Sequence, residues 1–200
     1  AQDSNILASY FSNIAQGYEN YGFVYGFSSS VVGRGMTKPD DYKEETIDTL
    51  TASSANAGET TVASDDQPNI VVVLLESFCD PTEVNFLQLS EDPIPNFRNL
   101  YENYSSGYLT VPVVGAGTAN TEFEVLTGMS MQYFGTGEYP YKTILKETDC
   151  ESIASDLSSI GYGTHVVHNN GGNFYSRANA FSMMGFDTFT SKEMMNIQEY

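Results

Sequence analysis

The feature that most constrains this sequence is a run of six apolar residues from Ile70 to Leu75, directly after Pro68 and Asn69. Its first four positions are all β-branched, and no polar residue interrupts it. A strand formed here is therefore apolar on both faces, which is typical of parallel sheets covered by helices on each side. The run predicts a buried parallel strand that ends at Glu76.

Other segments repeat the alternation of strand and helix. Apolar runs predict further strands at 107–114 and 162–167, and helical spacing of apolar residues predicts helices at 95–104, 118–126, 149–160 and 176–184. Strands that alternate with helices favour an α/β fold, with a mainly parallel sheet flanked by helices.

The first third of the chain has a different character. Residues 4–16 have apolar residues at helical spacing, whereas 46–67 consist largely of Thr, Ser, Ala, Asp and Glu. The second segment predicts a linker or an extended strap. We therefore divide the chain into a helix and linker segment, 1–67, and a domain segment, 68–200.

Charge limits the partners and substrates that this chain can have. The formal net charge is −18 with only 8 Lys and Arg, so nucleic acid is excluded as a partner by charge repulsion. A chain this acidic can act on a phospholipid when a bound cation supplies positive charge at the site.

No apolar run approaches the roughly 20 residues that span a bilayer. The start at Ala1, without Met or a signal peptide, indicates a trimmed piece of a longer protein. The two cysteines, Cys79 and Cys150, fit either one disulfide bond or two thiols.

Polar residues follow each of the three predicted strands, where ligands bind in open α/β sheets. They are Glu76, Thr118 and His168, and we expect them to meet at one edge of the sheet. An ionised carboxylate after six apolar residues needs a cation, hydrogen-bond donors or a proton. Glu76 also fits a helix cap or a salt bridge. His168 also fits a structural role, as a lone histidine usually does.

Thr118 follows Gly115-Ala116-Gly117 at a predicted helix start, where free N–H groups favour phosphate. Coordination of its hydroxyl to a divalent cation would lower the pKa and produce a nucleophile. Thr118 also fits a simple N-cap. No Gly-Lys-Ser/Thr sequence follows, which excludes a P-loop. Arg177 could clamp a phosphate with two nitrogens or form an ordinary surface ion pair.

Together these segments resemble the extracellular catalytic domain of lipoteichoic acid synthases and related phosphoglycerol transferases, in the alkaline phosphatase and sulfatase superfamily. The resemblance covers residue 68 to the C-terminus, and more loosely 21–42. Its motifs are PNIVVVLLESF at 68–78, GAGTANTEF at 115–123, HNNGGNFYSRANA at 168–180 and MGFD at 184–187.

The resemblance implies a role for each site residue. Glu76 would be a metal ligand, and Thr118 both a ligand and the nucleophile, with Mn²⁺ or Mg²⁺ as the cation. Tyr175, Arg177 and His168 would bind the substrate. The family often has Trp at the position of Tyr175, and an Asp near the position of Asn120. The family's metal site is completed by a late Asp-His pair that does not occur before Tyr200, so this piece alone is expected to turn over poorly.

The implied reaction moves glycerol phosphate from phosphatidylglycerol to a glycerophosphate polymer, through a phospho-threonine intermediate. The parent protein is then expected on the extracellular face of a bacterial membrane, anchored by transmembrane helices absent from this chain. The alternatives are another sulfatase-superfamily hydrolase, a phosphoethanolamine transferase, or a non-catalytic surface binding module. Sulfatases usually present Cys or Ser where this chain has Thr118, which disfavours a sulfatase.

Overall fold

The computed structural model describes residues 14–33, 35, 39–54, 67–75, 77–113 and 116–196. Within these ranges the helices are α1 (Ile14–Val32), α2 (Glu44–Ser54), α3 (Pro95–Asn103), α4 (Thr118–Thr127), α5 (Ile153–Ser159) and α6 (Arg177–Met183). The strands are β1 (His165–Val167) and β2 (Thr188–Thr190). Short 3₁₀ turns connect several of these elements.

The two strands pair in parallel, and α6 lies in the connection between them. His165 faces Thr188 and Val167 faces Thr190 in the register. The N–H of His168 donates to the carbonyl of Thr190 at 2.9 Å, which continues the ladder one residue past β1. A parallel pair joined through a helix confirms the predicted α/β class. The three-residue strand β2 was not predicted, because so short a segment shows no clear periodicity.

The hydrophobic core lies between α4, α6 and the 3₁₀ turns of residues 140–146. Phe123 of α4 is fully buried and meets Phe134 edge-on, with ring centroids 5.3 Å apart. Phe181 of α6 contacts Tyr141 in the same manner at 5.9 Å. The fully buried hydrophobic residues are Ala119, Phe123, Met131, Tyr141, Leu145, Ala180 and Met184. This core holds the N-terminus of α4 firmly in place.

The domain helices follow their predicted positions closely. α3 begins at Pro95, and α4 ends at Gly128, whose left-handed backbone (φ 71°) terminates the helix. α5 starts four residues later than predicted, because Ser152 and Ser155 form a capping box there. α6 occupies seven of the nine residues predicted for it.

Two predicted strands do not form. Residues 70–75, and the described part of 107–114, have no regular secondary structure, and most of their large side chains are exposed. Val71, for example, is 82% exposed. A β-strand exists only where a neighbouring backbone supplies its hydrogen bonds, and an apolar pattern alone does not provide that neighbour.

Residues 67–75 nevertheless lie beside the chain that leads into β1. The side-chain amide of Gln67 donates to the carbonyl of Ile160 at 3.3 Å, and the Tyr162 hydroxyl donates to the carbonyl of Pro68 at 3.1 Å. These two bonds hold the residues just before the predicted strand, while Ile70, Val72 and Leu74 border a cavity.

The linker predicted at 46–67 is wrong for its first nine residues, which belong to α2. Glu44 and Glu45 lie in the first turn of α2, where negative charge favours the helix dipole. The hydroxyls of Thr49 and Thr51 donate to carbonyls four residues earlier, so both polar groups are satisfied within the helix. Residues 55–66 lie outside the described part of the chain, as do 4–13 of the first predicted helix.

Two smaller questions are also answered. Cys79 and Cys150 are free thiols, not a disulfide. Among the described helices, none combines the length and the apolar character required to cross a membrane.

Candidate functional site

Thr118 is the first residue of α4, as the sequence predicts, and it is 9% exposed. The preceding Gly117 has φ 96°, a left-handed conformation that favours glycine. A Cβ atom at Gly117 would lie 3.2 Å from both the Tyr139 hydroxyl and the Val113 side chain. The turn before Thr118 therefore requires glycine for its backbone angle and for the space around it.

A cavity of about 800 Å³ opens beside Thr118. Its walls include α4, α5, β1 with the residues on either side of it, and residues 70–75. Thr118, Glu122 and His168 all line it, so the structure brings two of the three predicted strand-end residues to one space. Glu76 lies outside the described residues, although its neighbours Leu75 and Ser77 line the same cavity.

His168 is held by the turn that follows it. Its Nδ1 accepts a hydrogen bond from the backbone N–H of Asn170 at 3.0 Å, so the neutral ring carries its proton on Nε2. The N–H of Gly172 donates to the Glu193 carboxylate at 3.2 Å. The N–H of Gly171 donates to the side-chain oxygen of Asn170. Hydrogen bonds from Ser191 and from backbone N–H groups lower the pKa of Glu193, which keeps its carboxylate ionised. The loop that presents His168 is therefore fixed at several points.

Arg177 forms a buried ion pair with Glu122. Its Nε lies 3.0 Å from Glu122 Oε2 and its Nη2 lies 2.6 Å from Oε1, a two-pronged arrangement. The side chains are 1% and 9% exposed, so the ion pair is not the surface pair considered from sequence. The third nitrogen, Nη1, lies 3.5 Å from the carbonyl of Phe174. Sequence reasoning missed Glu122, although its position four residues after Thr118 places both on one helix face.

Tyr175 stands at the centre of an aromatic and cationic cluster. Its ring stacks on Tyr139 with centroids 5.3 Å apart, and Lys142 Nζ lies 4.7 Å from its centroid. The Arg177 guanidinium lies 5.3 Å from the same centroid. Burial, followed by the neighbouring Tyr175 hydroxyl, raises the pKa of Tyr139, so the Tyr139 phenol stays protonated near neutral pH.

The backbone at Tyr175 is strained. Tyr175 and Ser176 have φ of 57° and 59°, and they are the non-glycine residues with positive φ in the described chain. Such conformations persist only where surrounding contacts impose them, and they cluster at functional sites. The strained turn carries Tyr175, whose predicted role as a substrate wall stays a prediction, and neither Tyr175 nor Arg177 lines the cavity beside Thr118.

The predicted metal site is not formed by the described residues alone. Nowhere in the described ranges do three His, Cys, Asp or Glu side chains gather closely enough to hold a metal ion. Glu122, the carboxylate nearest to Thr118 in sequence, is already paired with Arg177. A hard divalent cation binds about six oxygen ligands, which this arrangement does not offer.

Comparisons with known proteins agree with this architecture. The sulfatase family model matches residues 68–200. A curated protein of Rhizobium meliloti (strain 1021), named "Putative cyclic beta-1,2-glucan modification protein", is 31% identical over 180 residues. That match covers 90% of this chain and 27% of the relative, so the chain spans about a quarter of the relative's length.

Two solved structures are also similar. The phosphoglycerol transferase GacH of Streptococcus pyogenes, in complex with sn-glycerol-1-phosphate, is 25% identical with a TM-score of 0.56. That match covers 78% of this chain and 42% of the GacH chain. The lipoteichoic acid synthase LtaP of Listeria monocytogenes is 24% identical with a TM-score of 0.39, over 45% of this chain and 21% of LtaP.

Proposed function

The chain belongs to the sulfatase family, and from this premise we propose that it carries part of the active site of a phosphoglycerol transferase. The donor is phosphatidylglycerol, and the group transferred is glycerol phosphate. The observation that carries the proposal is the position of Thr118 at the start of α4, beside a cavity that His168 also lines. The similarity to GacH, whose structure contains sn-glycerol-1-phosphate, supports this choice of substrate.

In the proposed reaction, Thr118 Oγ forms a bond to the donor phosphorus while the bond from phosphorus to the diacylglycerol oxygen breaks. Diacylglycerol leaves as the alcohol, carrying the proton that Thr118 gives up. An acceptor hydroxyl then attacks the phospho-threonine, and its proton returns to Thr118. The N–H groups at the start of α4 favour the negative charge of the phosphate in both steps.

The other predicted site residues have proposed roles at the substrate. The ring of Tyr175 forms a wall for the glycerol group, and His168 offers its Nε2 proton to an oxygen of the substrate. Arg177 has Nη1 outside its pair with Glu122, and we assign a phosphate contact to this nitrogen. The ordinary alternative for Thr118 is a helix-starting residue with no chemical role.

A divalent cation, Mn²⁺ or Mg²⁺, remains part of the proposal because the family resemblance implies it. The described residues do not form a site for it, and Glu76, the predicted ligand, lies outside them. No step above is therefore derived from the cation. We place the parent protein on the extracellular face of a bacterial membrane, anchored by segments beyond this chain.

Two acceptors have support. A glycerophosphate polymer follows from the resemblance to lipoteichoic acid synthases. A hydroxyl of a glucan follows from the name of the Rhizobium relative, which matches 90% of this chain. Both are alcohols that attack phosphorus in the same way, so the choice between them does not alter the role of Thr118.

The test measures diacylglycerol release from phosphatidylglycerol vesicles by the full-length protein, with Mn²⁺ and with EDTA. Thr118→Ala is expected to lower the rate at least about 10³-fold, because no other group replaces a covalent nucleophile. Thr121→Ala is the matched control, since Thr121 is a buried threonine of the same helix that does not line the cavity. Full activity of Thr118→Ala would contradict the proposal. Adding each acceptor in turn, and following the transferred glycerol phosphate, identifies the acceptor.

A further inference from the structure

The buried pair of Glu122 and Arg177 joins the two halves of the candidate site. Glu122 lies one helical turn after Thr118, and α-helical side chains lean toward the N-terminus of their helix. Glu122 and Thr118 consequently line the same cavity. Arg177 is the residue directly after the strained pair Tyr175 and Ser176. One ion pair therefore connects the helix of the predicted nucleophile to the turn that carries the predicted substrate wall.

The geometry of this pair restricts motion in two directions. Two hydrogen bonds, of 3.0 and 2.6 Å, fix both the position and the plane of the guanidinium. That plane lies near the rings of Phe174 and Tyr175, at 5.6 and 5.3 Å from their centroids. A rotation of the guanidinium would therefore disturb both rings.

A second connection reaches Thr118 by another route. Tyr175 stacks on Tyr139, whose hydroxyl lies close to Gly117, the residue before Thr118. The Tyr175 ring is thus held between the Arg177 guanidinium, which Glu122 orients, and the Tyr139 ring. Removing the charge of Glu122 releases the first support and leaves the second in place.

The surroundings of Glu122 make the position of the Arg177 guanidinium depend on this carboxylate. Its side chain is 9% exposed, and the nearest described cation is the Arg177 guanidinium that it binds. Burial, together with the Glu122 carboxylate, raises the pKa of Tyr141, so this neighbour stays neutral. A buried guanidinium that lost Glu122 would be left as an unpaired charge and would move toward water. This movement would remove a contact that maintains the strained backbone conformation of Tyr175 and Ser176.

We propose that Glu122 is a positioning residue of the transferase site. Through Arg177 it sets the place of Tyr175 relative to Thr118, and so determines how tightly the glycerol phosphate group is held. This inference rests on the proposed function for its substrate, but the arrangement of Tyr175 can be measured without turnover.

The first experiment is a double-mutant cycle on binding of sn-glycerol 1-phosphate to the full-length protein, followed by calorimetry. Glu122→Gln is expected to weaken binding by on the order of tenfold, as small misplacements at such sites do. Glu122→Asp keeps the charge and should recover most of the affinity. If Glu122 acts through Arg177, combining Glu122→Gln with Arg177→Ala should weaken binding no more than Arg177→Ala alone.

Glu124→Gln is the matched control. Glu124 lies on the same helix and anchors the N–H of Met131 at 2.6 Å, but it does not touch the strained turn. It should lower the melting temperature without changing the affinity for glycerol phosphate. Equal losses of affinity in Glu122→Gln and Glu124→Gln, or additive effects in the cycle, would overturn the positioning role.

Hydrogen exchange provides the readout that needs no ligand. The N–H groups of Ser176 and Ala178 bond to the carbonyls of Asn173 and Gly172, at 2.9 and 3.2 Å. Glu122→Gln should speed exchange in a peptide covering 173–180 at least about tenfold, and Glu124→Gln should not. If the wild type fails to bind glycerol phosphate while this exchange pattern holds, the substrate assignment is wrong and the positioning role stands. An unchanged exchange rate in Glu122→Gln would overturn the positioning role itself.

Discussion

Two parts of this molecule are rich in large apolar residues, but one buries them and the other leaves most of them exposed. We call residues 116–196 the C-terminal lobe, and 67–75 with 77–113 the apolar segment. All the fully buried hydrophobic side chains of the described chain lie in the C-terminal lobe, between Ala119 and Met184. In the apolar segment Phe86, Tyr108 and Leu109 are all more than two-thirds exposed.

The contrast comes from the sequence distance to a partner. In the C-terminal lobe α4, the 3₁₀ turns, α6 and β2 follow one another within about 70 residues and pack together. In the apolar segment the attachments of residues 67 and 68 reach across 93 and 94 residues. Apolar residues with nearby partners are buried, whereas a strand whose partners are distant depends on the rest of the sheet.

The difference in burial between the two parts is tested most directly by truncating one apolar side chain in each of them. Phe123→Ala should lower the free energy of unfolding by about 3–5 kcal/mol, because it leaves a cavity in a packed core. Val71→Ala should change it by no more than about 0.5 kcal/mol, because Val71 is exposed. Urea denaturation followed by circular dichroism measures both. A loss above 1.5 kcal/mol for Val71→Ala, on the order of a buried side chain, would show that the apolar segment is packed in solution.

Two glycines, Gly117 of the C-terminal lobe and Gly107 of the apolar segment, test the same difference in packing at the backbone. Gly117→Ala should destabilise the C-terminal lobe by about 1–3 kcal/mol, since it forces alanine into a left-handed conformation. Its new methyl group would also press on Tyr139 and Val113. Gly107→Ala is the control, since a Cβ there meets nothing within 4 Å. Comparable melting temperatures for the two variants would contradict the assigned turn geometry before Thr118.

The smallest expected effect concerns pH. Hydrogen bonds from the N–H and the hydroxyl of Thr164, at 2.7 and 3.2 Å, lower the pKa of Asp187. The stabilisation by Asp187 is therefore complete above its unfolded-state pKa of about 3.9 and is lost as pH falls through the lower folded-state value. Asp187→Asn should lower stability at pH 7 and flatten the decline below about pH 4.

Asp80 of the apolar segment is the comparator for that measurement. Its pKa is lowered mainly by hydrogen bonds from Thr82, and also by Arg98, all within the apolar segment. Asp80→Asn should therefore leave the midpoint of cooperative unfolding unchanged between pH 3 and 7. A shift equal to that of Asp187→Asn would mean that the two parts unfold as one unit.

The sequence was a good guide to helices and a poor one to strands. α3, α4 and α6 follow from their apolar spacing and from Pro95 and Gly128 at their ends, because these signals act within a few residues. The α/β class and the family membership were predicted and are confirmed. The strands at 70–75 and 107–114 were not found, because pattern predicts the conformation a segment favours and not the neighbour it needs.

In the candidate site too, local signals predicted residue positions, but the long-range side-chain pairing was not predicted. Thr118 and His168 were expected at one edge of the sheet, and both line one cavity. Their chemical roles, and those of Tyr175 and Glu76, remain predictions. The partner of Arg177 was not foreseen, because Glu122 lies 55 residues away in sequence and no local pattern links the two residues. Side-chain pairing over such distances is decided by packing, which spacing does not encode.

The two hydrogen bonds that attach residues 67 and 68 to residues 160 and 162 have a consequence for synthesis of the chain. A ribosome adds about 5–20 residues per second, so the run Ile70–Leu75 emerges about 5–20 s before its anchoring residues exist. Throughout that interval an apolar hexapeptide without a charge, β-branched at four of its six positions, is open to association with other chains. Slower translation between residues 76 and 160 is therefore expected to raise the yield of aggregate, because it lengthens the time before residues 67 and 68 are anchored.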